Sequence, residues 1–280
     1  MQIQNLTIQK YKRFFAFGCS FTNYQWPTWA DIIGHTIPHY ENWGKSGAGN
    51  QFIFNSIIEC NRRNKFNEDD LVIVMWTSCS REDRYVDNNW LVAATENRKN
   101  IYGKDWVKKF ANQGKGLMIR DFATIDATQQ LLDNFKCDWV NLNGLPLIRF
   151  DVDQAEKDIK RGMITLDDIE QRWTLQQSML SQNKDHWDEY LADREVVELY
   201  KSMFSNIKEP LLNRILENNQ RPNFGDKHPK PSESLDYIND VLPNNLQVTE
   251  FVNYWELQVG NIKTKDRMPI EFVRNSIQRF

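Results

Sequence analysis

Histidine and cysteine are scarce in this chain, which has four of each among 280 residues. The cysteines lie far apart and form no Cys-x-x-Cys pair; they are Cys19, Cys60, Cys79 and Cys137. This spacing excludes a disulfide scaffold and a cysteine-rich zinc site, and it is typical of a protein in a reducing compartment. No cluster of His, Asp and Glu has ligand spacing, so we expect no metal and no other cofactor.

The chain also lacks a surplus of one charge and any long apolar run. Its 35 Lys and Arg residues stand against 38 Asp and Glu, so a nucleic-acid partner is not expected. The most apolar run, 71–76, has six residues, whereas a helix that spans a bilayer needs about 20. The first residues alternate polar and apolar side chains, unlike a signal peptide. We therefore expect a soluble, cytoplasmic protein without a membrane partner.

Short apolar segments alternate with segments of helical periodicity along much of the chain. The pattern predicts strands at 13–19, 71–76 and 139–147, and helices at 26–33, 52–61, 122–134 and 232–241. We expect Thr22 or Asn23 to cap the first helix. Because 71–76 is continuously apolar, it predicts a buried central strand. Strands that alternate with helices are typical of a parallel sheet covered by helices, which is an α/β fold.

Two further regions differ in composition from this pattern. Residues 80–115 are polar and predict a long connection, either without regular structure or with short helices. Residues 151–218 are poor in glycine and rich in charge, and their spacing predicts a helical insertion that is too long for a plain loop. We therefore expect one domain over 1–242, interrupted by this insertion. Residues 243–280 form a C-terminal extension to which the sequence assigns no role.

A serine lies where the first predicted strand ends, in the segment GCSFT at 18–22. Open α/β sheets bind ligands at the carboxyl ends of their strands, and N–H groups at a helix N-terminus stabilise an oxyanion there. A serine hydroxyl needs a base to become a nucleophile. The segment DKHP at 226–229 offers His228 as that base and Asp226 to orient its imidazole. Each segment is common alone, but the pair indicates nucleophilic catalysis by Ser20.

The segments GCSFT at 18–22, NWGKSGAGN at 42–50 and DKHP at 226–229 resemble the first, second and fifth blocks of the SGNH (GDSL-type) hydrolases. The likeness is greatest to phage and bacterial members that begin with GCSFT. The resemblance implies a flavodoxin-like three-layer α/β/α sandwich with a parallel central sheet. It also implies the cleavage of esters, often acetyl groups on sugars, by Ser20, His228 and Asp226.

The resemblance further implies an oxyanion hole with backbone N–H donors at Ser20 and Gly47, with Gly49 as the neighbouring alternative to Gly47. The family carries an asparagine donor after a central strand, where this chain has Ser78. A serine hydroxyl reaches less far than a carboxamide. The candidates for the missing donor are Ser78, Asn50 and Arg81.

The sequence thus predicts a serine ester hydrolase that acts on a small acyl ester, with O-acetyl groups of a carbohydrate as the favoured substrate. The alternatives are a catalytically weak or silent module that binds glycan, such as a phage virion component, and an enzyme that transfers the acyl group to a sugar. The helical insertion is expected to form a lid or wall over the site and to set specificity.

Each candidate residue also has a purely structural interpretation. Ser20 could serve only as a helix cap, since serine is favoured there. Cys19 is expected to be a small packed residue rather than a nucleophile, because free cysteine is among the most buried residue types. The remaining histidines, His35, His39 and His186, are expected to be structural.

Overall fold

The computed structural model describes residues 7–93, 98–110, 114–147, 194–212, 215, 228–242 and 246–260. Three sequence predictions lie outside these residues. They concern Asp226, His186 and most of the predicted helical insertion, 151–193.

The centre of the described fold is a parallel sheet. The strands are β1 (Arg13–Phe17), β2 (His39–Asn42), β3 (Asp70–Trp76), β4 (Glu82–Val86), β5 (Asn89–Ala93), β6 (Asp138–Asn143) and β7 (Ile207–Pro210). Five of them form the sheet in the order β2-β1-β3-β6-β7, and every pairing is parallel. This is the order 2-1-3-4-5 of doubly wound sheets, which bind ligands where the chain leaves the first and third strands in opposite directions. The predicted parallel α/β fold is confirmed.

Helices cover both faces of this sheet. They are α1 (Trp29–Gly34), α2 (Asn50–Asn64), α3 (Arg98–Tyr102), α4 (Lys104–Phe110), α5 (Gly114–Asn134), α6 (Arg194–Leu199), α7 (Lys201–Phe204), α8 (Pro231–Val241) and α9 (Thr249–Gly260). One sheet face packs against α1 and α8, and the other packs against α2 and α5. This arrangement is consistent with three α/β/α layers. Within the described residues, no helix is both long and apolar enough to cross a bilayer.

The sheet core follows from the alternation of side chains along each strand. Phe14 and Ile73 belong to one apolar cluster, whereas Phe15 and Val72 belong to the cluster on the opposite face. All seven residues of β3 are buried. After Asp70, which is paired with Arg13, the strand is apolar at every position from 71 to 76. Such a continuous run is typical of a strand buried on both faces, which is why it predicts β3 correctly.

The first helix begins later than its apolar spacing predicts. It starts at Trp29, and its N-cap is Thr28 rather than Thr22 or Asn23. The Asp31 carboxylate accepts hydrogen bonds from the backbone N–H of Thr28 (2.8 Å) and from its hydroxyl (3.0 Å). This arrangement satisfies the first turn in the manner of a capping box. Thr22 and Asn23 therefore remain in the loop that follows β1.

A β-hairpin formed by β4 and β5 occupies the region that the sequence pattern predicts to be a connection, 80–115. Its turn is made by Asp87 and Asn88, whose φ values are +49° and +61°. Two consecutive left-handed residues define the two-residue turn that joins right-twisted strands, and Asp and Asn are favoured in it. In the sequence, therefore, only the Asp87–Asn88 pair indicates this hairpin.

The structure describes residues 194–212 and 215 of the predicted helical insertion, and these residues belong to the sheet domain. Ile207–Pro210 forms the edge strand β7, which pairs with β6, so the insertion does not extend to residue 218. Before it, Val197 and Phe204 pack into the core on one sheet face. A strand of four residues is too short to show a clear alternation, and its proline is tolerated because the strand lies at an edge.

Phe122 on α5 tests the packing of this second layer. Its buried ring lies 5.0 Å from the ring of Phe204 and 5.9 Å from that of Tyr200, measured between centroids. We expect Phe122→Ala to lower the free energy of unfolding by about 3–5 kcal/mol, as measured by urea denaturation. Ile119→Ala, at an exposed position of the same helix, should change it by less than about 1 kcal/mol. Equal losses would contradict the assigned packing.

Candidate active site

Ser20 lies in the loop that leaves the carboxyl end of β1, and its side chain is largely buried. The loop packs tightly over the neighbouring strand. A Cβ at Gly18 would collide with the Thr22 side chain and would lie 3.0 Å from the Met75 carbonyl oxygen. Cys19 is fully buried in the apolar core, as expected for a packing residue. The loop thus holds Ser20 on a constrained backbone at the edge where a doubly wound sheet binds ligands.

His228 lies directly on the Ser20 loop. Its ring stacks on Tyr24, with 3.6 Å between centroids and 14° between planes. Its ring also meets that of Phe21 edge to face at 5.5 Å. Next to it, the buried Trp26 Nε1 donates a 2.7 Å hydrogen bond to the Pro229 carbonyl oxygen. Residues from opposite ends of the chain are therefore packed together.

His228 thus packs against two residues of the loop that carries Ser20, namely Phe21 and Tyr24. The Ser20 hydroxyl makes no hydrogen bond to any described residue. Catalytic hydrogen bonds are often long in free enzymes and tighten when substrate binds. Asp226 lies outside the described residues. The structure therefore places His228 on the loop that carries Ser20, and the triad stays a prediction.

The loop after β2 carries Gly47, and hydrogen bonds join this region to the Ser20 loop. Lys45 N donates to the Gly18 carbonyl oxygen (3.1 Å), and Asn42 Nδ2 donates to the Thr22 carbonyl oxygen (2.7 Å). Gly47 has a φ of +81°, a left-handed conformation that strains any residue with a Cβ. The local backbone therefore requires glycine at this position.

Two of the alternative oxyanion donors are already engaged. The Gly49 N–H donates to Asp83 Oδ1 at 2.8 Å, which favours Gly47 over Gly49. Asn50 Nδ2 donates to the Thr77 carbonyl oxygen and to Asp121 Oδ2, both at 2.9 Å, and its Oδ1 accepts from Thr77 N. Both amide hydrogens of Asn50 are thus used, so it would have to break one of these bonds to serve an oxyanion.

The donors expected after β3 are engaged as well. Ser78 is fully buried, and its hydroxyl lies 2.8 Å from the Ser80 hydroxyl. Arg81 Nη1 donates to the Ala48 carbonyl oxygen at 2.7 Å. In this geometry Ser78 bonds within the loop after β3, and Arg81 links that loop to the loop after β2.

A buried charged network behind these loops was not indicated by the sequence pattern. Arg120 on α5 donates to Glu82 Oε2 (2.7 Å), to Asp121 Oδ1 (2.6 Å) and to the Arg81 carbonyl oxygen (2.8 Å). Burial raises the pKa of Asp121, although Arg120 opposes the shift. The partners are far apart in the chain, so no local spacing could reveal them.

Asp83 is a buried acid next to the loop that carries Gly47. Burial raises its pKa to about 6, while the N–H groups of Phe52 and Gly49 oppose the shift by donating to the carboxylate. Since the ordinary value is 3.8, the folded protein binds a proton at Asp83 between about pH 4 and pH 6, where the unfolded chain does not.

The contribution of Asp83 to the free energy of unfolding should therefore fall as pH rises from about 4 to about 6, and level off above. The measurement is urea denaturation of the wild type and of Asp83→Asn across this range. The stability of the wild type relative to the variant is expected to decrease with rising pH. A difference that does not change with pH would show that Asp83 is not desolvated.

The segment after His228 is supported by two glutamates. Glu233 Oε2 accepts a 2.7 Å hydrogen bond from Lys230 N, and Glu256 Oε2 accepts a 3.1 Å bond from Ser232 N. Glu256 lies on α9, within the C-terminal extension to which the sequence assigned no role. That extension therefore helps to order the start of α8.

Two other histidines make structural contacts. His35 stacks on Phe251, with 4.4 Å between ring centroids, and His39 lies 3.1 Å from Glu41 Oε1 at an exposed position. Among the described residues, no group of three or more His, Cys, Asp or Glu side chains is arranged to hold a metal ion.

Comparison with known proteins identifies no relative: no family model, no curated protein and no solved structure matches this chain. The functional assignment therefore depends on the geometry of Ser20, His228 and Gly47 and on the sequence segments that carry them.

Proposed function

We propose that this protein is a serine ester hydrolase of the SGNH type that acts on a small acyl ester, with an O-acetyl group of a carbohydrate as the favoured substrate. The observation that carries the proposal is the packing of His228 on Tyr24 and Phe21, in the loop of Ser20. The strand order and the position of Ser20 at the carboxyl end of β1 support it.

The proposed reaction begins with attack of Ser20 Oγ on the acyl carbonyl carbon. His228 accepts the hydroxyl proton as the bond forms and then gives it to the leaving alcohol oxygen. Water, deprotonated by His228, attacks the acyl-enzyme and releases the carboxylic acid and the free serine. Asp226 would orient the imidazole and stabilise its charged form.

The backbone N–H groups of Ser20 and Gly47 would hold the oxyanion of each tetrahedral intermediate. Ser78 and Asn50 are engaged elsewhere, as described above, so the site offers fewer free donors than the family pattern. Since the loss of one such donor costs about 10²–10³ in rate, we expect slow turnover on simple esters.

A fluorophosphonate probe tests this proposal directly, because it forms a covalent bond only with an activated serine. Mass spectrometry of the digested protein should find the label on Ser20. Ser46, which is exposed in the neighbouring loop, should remain unlabelled. A wild-type protein that shows no label on Ser20 would contradict the proposed nucleophile.

The second candidate function is a catalytically silent module that binds acylated glycan, such as a virion component. It is favoured by the engagement of Ser78 and Asn50 in hydrogen bonds within the fold. Calorimetry with an acetylated oligosaccharide separates the two functions. Binding without any hydrolysis by the wild type would favour the silent module.

A further inference from the structure

We infer that Asp83, which lies on the β4–β5 hairpin, is a positioning residue of this site. It holds the loop that carries Gly47 in place. This inference rests on the proposed function. Asp83 does not contact the acyl group. Its role is to fix the backbone that presents the Gly47 N–H to the oxyanion.

The Asp83 carboxylate caps helix α2 from a different element of the fold. Its Oδ1 accepts from Gly49 N (2.8 Å), the N-cap residue, and its Oδ2 accepts from Phe52 N (2.9 Å) in the first turn. The first N–H groups of a helix have no partner within the helix. A capping-box glutamate satisfies one of these groups locally, whereas here a carboxylate 31 residues beyond Phe52 satisfies two donors.

The contact between Asp83 and this loop leaves no space for a side chain at Gly49. A Cβ at Gly49 would lie 2.7 Å from Asp83 Oδ2 and 2.9 Å from Arg81 Cβ. Arg81 also donates to the carbonyl oxygen of Ala48. The two residues that directly follow Gly47 are therefore both tied to the segment that leads into the hairpin.

The second strand of the hairpin reaches Gly47 itself. Asp83 and Val92 are cross-strand partners, so a single register sets both contacts. A Cβ at Gly47 would lie 3.5 Å from Val92 Cγ2. The carbonyl oxygen of Trp90 also accepts a 3.1 Å hydrogen bond from Lys45 Nζ. The hairpin thus contacts the loop on both sides of the proposed donor.

Positioning matters here because glycine restricts its own backbone least of all residues. An oxyanion donor lowers the barrier only when it already points at the place where charge develops. Contacts from outside the loop must therefore select the conformation of Gly47. Asp83 is a buried charged group that binds the Gly49 N–H of this loop and the Phe52 N–H in the first turn of α2.

The test is the kinetics of Asp83→Asn with p-nitrophenyl acetate. An asparagine replaces one acceptor oxygen with a donor, so either Gly49 N or Phe52 N loses its partner. We expect kcat to fall about 10–100-fold, with KM unchanged within about twofold, because a donor is displaced and no substrate contact is removed. Lys45→Met, at a partly exposed position, should lower kcat in the same direction if Asp83→Asn folds poorly.

Asp70→Asn is the matched control. Asp70 is buried, accepts from Arg13 Nε (2.6 Å) and from the backbone N–H of Asn67 (2.7 Å), and lies at the amino end of β3, away from Ser20. It should lose stability as Asp83→Asn does and should keep the wild-type kcat. A similar loss of kcat in both variants would overturn a positioning role.

Hydrogen exchange gives a readout that is independent of hydrolysis. The amides of Gly49 and Phe52 should exchange faster in Asp83→Asn than in Asp70→Asn. Faster exchange with an unchanged kcat, or unchanged exchange, would overturn the inference. A wild type that neither hydrolyses esters nor takes the probe at Ser20 would overturn the proposed function, and with it the role of Asp83 in positioning an oxyanion donor. The exchange data would still decide whether Asp83 holds the loop.

Discussion

Ser20→Ala is expected to reduce the hydrolysis of p-nitrophenyl acetate by about 10³-fold or more, because the attacking atom itself is removed. The change should leave the fold intact. The Ser20 hydroxyl has no hydrogen-bond partner among the described residues, so its removal leaves none of those residues unpaired. The measurement is initial rate against substrate concentration, together with thermal unfolding to show an unchanged midpoint.

Ser46→Ala serves as the control for this variant, since Ser46 is exposed in the loop that also carries Gly47. Its rate should stay within about twofold of the wild type, as expected for a surface change away from the reacting atoms. If Ser20→Ala kept the wild-type rate, another residue would be the nucleophile. If the wild type itself were no faster than Ser20→Ala on any short ester, the silent glycan-binding module would be favoured.

His228→Phe should lower kcat by about 10²–10⁴-fold, the range that general acid–base catalysis contributes. Phenylalanine keeps a flat ring that can stack on Tyr24, where the imidazole lies at 3.6 Å. It removes both ring nitrogens and with them the base for Ser20. The variant therefore separates the chemical role of His228 from its packing role.

His35→Phe is the matched control for this change. His35 also stacks on an aromatic ring, that of Phe251 at 4.4 Å, and it lies apart from the Ser20 loop. Its hydrolysis rate should remain at the wild-type level. An active His228→Phe variant with normal kinetics would show that Ser20 uses another base or none.

Much of the sheet domain could be predicted because its signals are local. The apolar run of β3 indicated a strand buried on both faces, and the periodicity of α2, α5 and α8 indicated their buried sides. The contact of His228 with the loop of Ser20 could also be inferred from the sequence. Their segments follow the first strand and precede a late helix, and the carboxyl ends of parallel strands meet at one edge of a sheet.

The hairpin and the edge strand β7 could not be predicted in the same way. The hairpin depends on a two-residue turn, Asp87 and Asn88, and on strands with few apolar residues. The strand β7 has four residues, which is too few to show a period. Both are held in place by neighbours that are distant in the chain, and local patterns carry no information about such neighbours.

The choice among the oxyanion candidates needed tertiary structure for the same reason. The resemblance pointed to Gly47, with Gly49 as its alternative, and to Ser78, Asn50 or Arg81 in place of the family's asparagine. The fold separated them by their partners, since Asp83 occupies the N–H of Gly49, and Thr77 and Asp121 occupy the amide of Asn50. A hydrogen-bond donor is available only if no other acceptor has taken its hydrogen.

By itself, the sequence predicted the parallel α/β architecture, because local apolar spacing indicates strands and helices, and it singled out the two segments that carry Ser20 and His228 as candidates. Only the tertiary structure decided that His228 stacks on Tyr24, and that the hairpin carries Asp83 to the first turn of α2. Those contacts join residues far apart in the chain. They form because buried polar groups must find partners, and the fold alone determines which partners are within reach.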